Sequence, residues 1–200
     1  MHYILTFDIG TTAVKTCLFD ERLSLIRSSN DEYALLIGKD RNVIELDCET
    51  YWRAVIDGIR RVAPDASTRE RISALSITTQ GETLIPVDRA GHAMRRAIVW
   101  LDARADEEGA QLSSLPAAAS VYSRTGVSAI DGMTPISKLL WLKHHEPEVY
   151  QKAYKFLLLG DYIVCRLTGE FAGEKTLLCT TAYYDIRHDC YLDELLEQAG

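Results

Sequence analysis

Five residues near the N-terminus have the types and spacing to hold a phosphate chain. In "FDIGTTAVKTCLFD" (7–20), Asp8 closes the strand-like run "YILTF". Gly10, Thr11 and Thr12 follow, and alternation then resumes through Lys15. Gly10 permits a backbone geometry that a side chain would obstruct, and permits close approach of a ligand. Thr11 and Thr12 add hydroxyls beside successive backbone N–H groups, and together these would form an anion nest. Asp8 would hold a hydrated magnesium ion opposite that nest, and Lys15 adds a cation within reach of a polyphosphate. The pattern is strand, turn, strand. It is not the strand-loop-helix phosphate site, since GxxxxGK[ST] and GxGxxG are both absent. The tetrapeptide Asp-Ile-Gly-Thr alone reads as a plain hairpin turn; position and context carry the rest.

A second set lies further on. "ITTQGETLIPVD" (77–88) places Gln80, Gly81 and Glu82 between two strands, and "AIVWLDAR" (97–104) places Trp100, Asp102 and Arg104 just after another. Polar residues at the ends of buried strands are where an α/β sheet binds its ligand. Carboxylates and amides pair with hydroxyls, and an indole face covers the apolar side of a sugar. The set therefore suits a polyhydroxylated substrate. The structural alternative is that Asp102 caps a helix, Arg104 pairs with a nearby acid and Trp100 belongs to the core.

The elements that must position these residues follow from periodicity. Residues 3–8, 13–19 and 23–29 read as strands in a meander, with a short strand at 43–46. Asp47 precedes an amphipathic helix with Trp52, Val55, Ile56, Ile59 and Ala63 on one face, ended by Pro64. Residues 72–78 read as a buried strand. Residues 83–88 and 97–100 read as two more, joined by the turn "RAGHAM", and Asp102 opens a polar helix toward Ser113. Thr134 and Pro135 start another helix. "KFLLL" (155–159) is strand or helix start, Asp161 is an N-cap for "YIVCRLT", and Gly169 is its stop. Strands in meander, then strands alternating with helices, predict a mixed-sheet α/β domain with no internal boundary.

The 200 residues are 47% hydrophobic and 26% charged, an ordinary globular balance, with a net charge of −7. Interspersed acids and bases argue against nucleic-acid and anionic-membrane partners. The five cysteines (Cys17, Cys48, Cys165, Cys179 and Cys190) include no C-x-x-C pair and read as buried reduced thiols. With no signal region and no transmembrane run, the expected location is cytoplasmic.

The motifs taken together resemble the N-terminal domain of the FGGY carbohydrate kinases, the group that includes glycerol kinase and xylulokinase. "FDIGTTAVKT" looks like the family's first phosphate motif and "VIELDCETYW" like its tryptophan-bearing first helix. "ITTQGET" and "AIVWLDAR" look like its two sugar-lining segments. "RTGVS", "TPISKLLWLKHHEPEVY" and "KFLLLGDYIVCRLTGEF" look like its closing helical region. The resemblance implies an α/β, ribonuclease-H-like (actin-like ATPase) domain with a mixed sheet and flanking helices. It implies ATP and Mg2+, with Asp8 organising the metal and Gly10, Thr11, Thr12 and Lys15 facing the phosphates. Gln80, Gly81, Glu82, Trp100, Asp102 and Arg104 would face a sugar or polyol. Glycerol kinase has an arginine where this chain has Gly81, and a tyrosine near Met133. Both departures point away from glycerol and toward a longer polyol or a ketose, as in the xylulokinases.

The resemblance also implies that residues 1–200 are most of the N-terminal domain. The C-terminal domain, the adenosine site and the catalytic base would lie beyond Gly200. The expectation is that this chain alone does not turn over ATP, and that exposed apolar surface favours self-association into a homo-oligomer. Asp161, Asp185 and Asp189 are not promoted to the missing base, the first reading as a cap and the others as surface or turn residues. Two other functions fit parts of the pattern: a non-catalytic sugar-binding fragment, and another actin-like ATPase. The "QGET" and "VWLDAR" segments weigh against the latter.

Overall fold

The computed structural model describes residues 2–200. In chain order its first elements are β1 Tyr3–Ile9, β2 Ala13–Asp20, β3 Leu25–Glu32, β4 Leu36–Ile37, β5 Ile44–Leu46, α1 Cys48–Val62, α2 Ala66–Arg69, β6 Ile72–Thr79, β7 Leu84–Val87 and β8 Ala97–Ile98. Then come α3 Asp106–Ser113, a 3-10 turn Pro116–Ser120, α4 Val121–Thr125, α5 Pro135–His145, α6 Pro147–Lys152, β9 Lys155–Leu158 and α7 Leu159–Thr168. The chain ends with α8 Lys175–Leu178, a 3-10 turn Cys179–Thr181, β10 Tyr184–Asp185, β11 Cys190–Tyr191 and α9 Asp193–Ala199.

The chain divides into two compact units, residues 1–35 with 47–80 and residues 36–46 with 81–200, where the sequence predicts no internal boundary. The first unit holds a mixed sheet of order β3-β2-β1-β6, with β1 and β6 parallel and the other pairs antiparallel. Alternation puts Leu5, Phe7, Ile9, Val14, Thr16 and Leu18 on one buried face, where α1 packs. Asp47 caps α1 as expected, its side chain accepting from Glu49 N. β6 departs from expectation: among the described strands it pairs with β1 alone, and most of its residues are exposed, Leu75 at 50%.

The second unit holds an antiparallel sheet of order β4-β5-β8-β7-β9. β7 is buried along its whole length, as a central strand should be. Thr134 and Pro135 open α5 as the sequence predicts. Gly169, at φ 79°, stops α7 in the left-handed conformation that favours glycine. Asp161 is not the cap of α7. It lies in the first turn, buried, and accepts from the N–H of the cap residue Leu158 and from Glu174 N, which is one half of a capping box. Asp185 is not a surface residue either: its side chain is fully buried, ion-paired to Arg124 and hydrogen-bonded to His188. Asp189 is more than half exposed. Cys17, Cys48 and Cys165 are buried as expected, whereas Cys179 is half-buried and Cys190 exposed. Among the described residues no helix is long and apolar enough to cross a membrane.

Candidate functional site

In the first unit, β1 and β2 form the hairpin read from the sequence, with Asp8 opposite Lys15 and Ile9 opposite Val14. The turn is closed by Gly10 N donating to Ala13 O at 2.9 Å. Asp8, Thr12 and Lys15 are exposed, while Gly10 and Thr11 are half-buried. The register continues outward in one cross-strand row, Asn30, Lys15, Asp8 and Thr78, all exposed. Gly10 does not adopt a positive φ, and a Cβ there would meet nothing nearer than Ala13 O at 3.4 Å. Backbone geometry therefore does not demand a glycine here; open approach to the turn is what the missing side chain provides. A carboxylate, hydroxyls and an ammonium group on one accessible edge fit a magnesium-bound polyphosphate. Among the described residues no three His, Cys, Asp or Glu side chains converge as a metal site.

The hairpin is braced from beneath. Tyr33 donates its hydroxyl to Gly10 O at 2.6 Å, and its N–H to Thr12 O at 2.9 Å. Its ring meets Tyr51 edge-on at 5.3 Å, and Tyr51 accepts from Gln80 Nε2 at 2.9 Å. Burial raises both phenol pKa values, and the nearby Asp8 carboxylate adds to the rise at Tyr33. Gln80 thus belongs to this unit: its backbone N–H extends the β1–β6 pairing to Ile9 O at 2.9 Å. Its Oε1 is buried and makes no hydrogen bond. Tyr33 and Tyr51 were not singled out by the sequence; an aromatic after a strand reads as core.

In the second unit, Gly81, Glu82, Trp100, Asp102 and Arg104 gather around the ends of β7 and β8. Glu82 has φ 62°, a left-handed conformation in a residue that is not glycine. Such strain of about 1–3 kcal/mol gathers at functional sites. Glu82 lines a cleft of about 540 Å³ whose other walls include Thr125, Ser128, Asp131, Met133, Cys179 and Thr180. Burial raises the Glu82 carboxyl pKa; Lys138 opposes the rise and Asp131 adds to it. Two carboxylates facing one cleft are a surface for hydroxyl donors. Asp131 is held by its own turn, Oδ1 accepting from Met133 N, Thr134 N and Thr134 Oγ1 at 2.9, 3.1 and 3.0 Å. Beside it, the missing side chains of Gly109 and Gly132 let α3 pack directly against the turn. A Cβ at Gly81 would find open space, with Thr180 Oγ1 nearest at 3.9 Å.

Arg104 pairs with acids, as the structural alternative expects, but Asp102 does not cap a helix. Asp102 is fully buried and opens no helix, since α3 begins four residues later. Its carboxylate accepts from Ile44 N at 2.6 Å and from Arg104 Nε and Nη2 at 2.9 and 2.7 Å. Arg104 also reaches Glu45 at 2.8 Å and lies over the Trp141 ring, 4.9 Å from its centroid. This network ties β5 to the segment after β8. Trp100 is half-buried, and its backbone N–H donates to Thr83 Oγ1 at 3.1 Å. Sequence reading also missed Asp131 and Lys138. Lys138 has no exposed surface, and its ammonium donates to three backbone carbonyls, those of Val99, Trp100 and Glu82.

One unit presents an acid-glycine-threonine hairpin and the other a cleft walled by Glu82 and Asp131, features suited to phosphate and to a polyhydroxylated ligand. Residues 3–200 match the N-terminal domain of the FGGY family of carbohydrate kinases, and the chain belongs to that family. It is 29% identical over 198 residues to the xylulose kinase of Staphylococcus xylosus, covering 99% of this chain and 40% of that protein. It is 31% identical over 201 residues to the glycerol kinase of Gluconobacter oxydans, covering 97% and 39%. Among solved structures, a gluconate kinase from Lactobacillus acidophilus superposes with TM-score 0.89 at 29% identity, covering 99% of this chain and 39% of that one. A ligand-bound xylulose kinase from the same organism gives 0.89 at 29%, covering 100% and 40%. The actin-like fold implied by the sequence is the fold of these kinases. The chain spans about two-fifths of the length of the relatives it matches.

Proposed function

We propose that this chain carries the phosphate-gripping hairpin and the sugar-binding cleft of an ATP-dependent kinase that phosphorylates a hydroxyl of a ketose or polyol. The observation that carries the reading is Glu82, strained at φ 62° on the wall of a cleft it shares with Asp131. The two carboxylates accept sugar hydroxyls, and Trp100 covers an apolar sugar face. The space beside Gly81 favours a chain longer than glycerol, and the relatives named xylulose kinase support a pentulose. Asp102 and Arg104 act by holding Trp100 and its neighbours in place. On the hairpin, Thr11, Thr12 and Lys15 receive the phosphates. Asp8 would hold the magnesium ion, which when bound offsets phosphate charge. ATP and phosphorylated sugars are cytoplasmic metabolites, and we place the protein there.

Calorimetric titration of the purified chain tests the reading. Xylulose is expected to bind more tightly than glycerol, Gly81→Arg to weaken xylulose selectively, and Asp8→Ala to abolish binding of MgATP but not of sugar. Equal, negligible binding of every sugar would sink it.

A further inference from the structure

We infer that Lys138 is a positioning residue for the substrate cleft: from behind the wall it clamps the carbonyls of Glu82, Val99 and Trp100 and so fixes how the Glu82 carboxylate and the Trp100 indole meet a sugar. This rests on the proposed function. Lys138 Nζ donates to Val99 O at 3.1 Å, Trp100 O at 3.3 Å and Glu82 O at 3.4 Å. An ammonium has three N–H donors, and three carbonyls take all three. The acceptors come from two separate segments, Glu82 just before β7 and Val99–Trp100 just after β8. One buried charge therefore closes the gap between two segments, one carrying the cleft's Glu82 and the other Trp100.

The core does not need a lysine there. Ile136, Leu140 and Leu142 of the same helix are buried, and a methionine would fill the space without an ion to desolvate. Burying an ion costs several kcal/mol unless its partners are well placed. Here the partners are carbonyls whose direction defines the site. A left-handed residue turns the peptide that follows it, and the Lys138 bond holds the carbonyl of that peptide at Glu82. The charged groups facing Lys138 are Asp102, Glu82, Arg104 and Asp131. Asp102 has both oxygens engaged by Ile44 and Arg104. The charge of Lys138 therefore acts on Asp102 first and on the cleft carboxylate of Glu82 next, with Asp131 the weakest of the three.

The test uses the 200-residue chain as wild type, Lys138→Met, Lys138→Arg, Glu82→Gln and the Glu82→Gln/Lys138→Met pair. Circular dichroism shows which fold. Tryptophan fluorescence titrates D-xylulose, and the amide–Hα coupling of Glu82 reads its φ by NMR. Lys138→Met is expected to weaken xylulose binding by roughly tenfold or more, the loss of hydrogen bonds from a charged donor. It is also expected to move Glu82 out of its left-handed conformation. In the Glu82→Gln background its cost shrinks, because a displaced carboxylate and an absent one bind alike. Undiminished binding, or losses that add in full, overturns the inference. If Lys138→Met does not fold, Lys138→Arg carries the test: a planar fork cannot reproduce the three-way clamp, so unchanged Glu82 coupling and affinity overturn the inference. A wild-type chain that binds no xylulose overturns the proposed function, and the Glu82 coupling in the folded variants then decides the clamp alone.

Discussion

Gly58 of α1 faces Thr16 of β2 across so short a gap that a Cβ at position 58 would lie 2.9 Å from the Thr16 Cβ. The helix approaches the sheet as closely as it does because one side chain is missing. Alanine at 58 would gain about 1 kcal/mol of helix propensity, but overpacking a full core costs about 1–3 kcal/mol. Thr16 has no exposed surface and nowhere to retreat. Gly58→Ala is expected to lower the urea midpoint, and adding Thr16→Ala to recover most of the loss. A Gly58→Ala midpoint equal to wild type would contradict this packing.

Asp102→Asn should be among the costliest substitutions in the second unit. It removes the charged bidentate partner of Arg104, whose side chain is only 6% exposed, and leaves Glu45 as its remaining carboxylate. Breaking a buried pair by removing one member costs about 3–5 kcal/mol. Equilibrium unfolding measures the loss; a cost under about 1 kcal/mol, typical of a surface pair, would show that the network carries little.

Asp161 gives a pH signature. Burial lifts its carboxyl pKa from 3.8 to about 6, against the backbone N–H bonds it accepts. The folded state therefore prefers the protonated form. The contribution to stability is fully present below 3.8 and is lost as pH rises through about 6. Asp161→Asn removes this dependence while keeping an acceptor for Leu158 and Glu174. Its melting temperature relative to wild type should rise between about pH 4.5 and about pH 7.5, by the equivalent of about 2 kcal/mol. A difference that stays flat across that range would mean that the carboxyl titrates normally.

Tyr33→Phe removes the hydroxyl bonded to Gly10 O and leaves the ring packed on Tyr51. The expected cost is about 1 kcal/mol, felt locally. Amide exchange at Thr11 and Thr12 should quicken and MgATP affinity fall, while sugar affinity stays. Unchanged exchange in the turn would show that Tyr33 does not brace it.

The hairpin, the Asp47 cap, the Thr134-Pro135 start and the Gly169 stop were legible because each is set by a few adjacent residues. What was not legible depends on partners far along the chain. Asp102 reads locally as a helix start, yet its position is decided by Ile44 and Glu45, whose strand leaves the first unit and pairs with β8. The same excursion divides a chain whose pattern shows no boundary. Lys138 looks like an ordinary helix charge. The available signal was that Ile136, Leu139, Leu140 and Leu142 leave α5 little polar face for it. Asp131 escaped notice because a carboxylate in a turn reads as holding that turn, which it does, as well as lining the cleft.

The backbone at Glu82 makes one more prediction, about what folding by itself would choose. Glycine carries no penalty at φ 62°. Glu82→Gly should therefore raise the melting temperature, by the equivalent of about 1 kcal/mol, while weakening sugar binding. A library of this chain selected for heat resistance alone would drift to glycine at position 82, and one selected for ligand would keep the acid. The two selections would part at this residue while agreeing at Gly58, where packing alone decides.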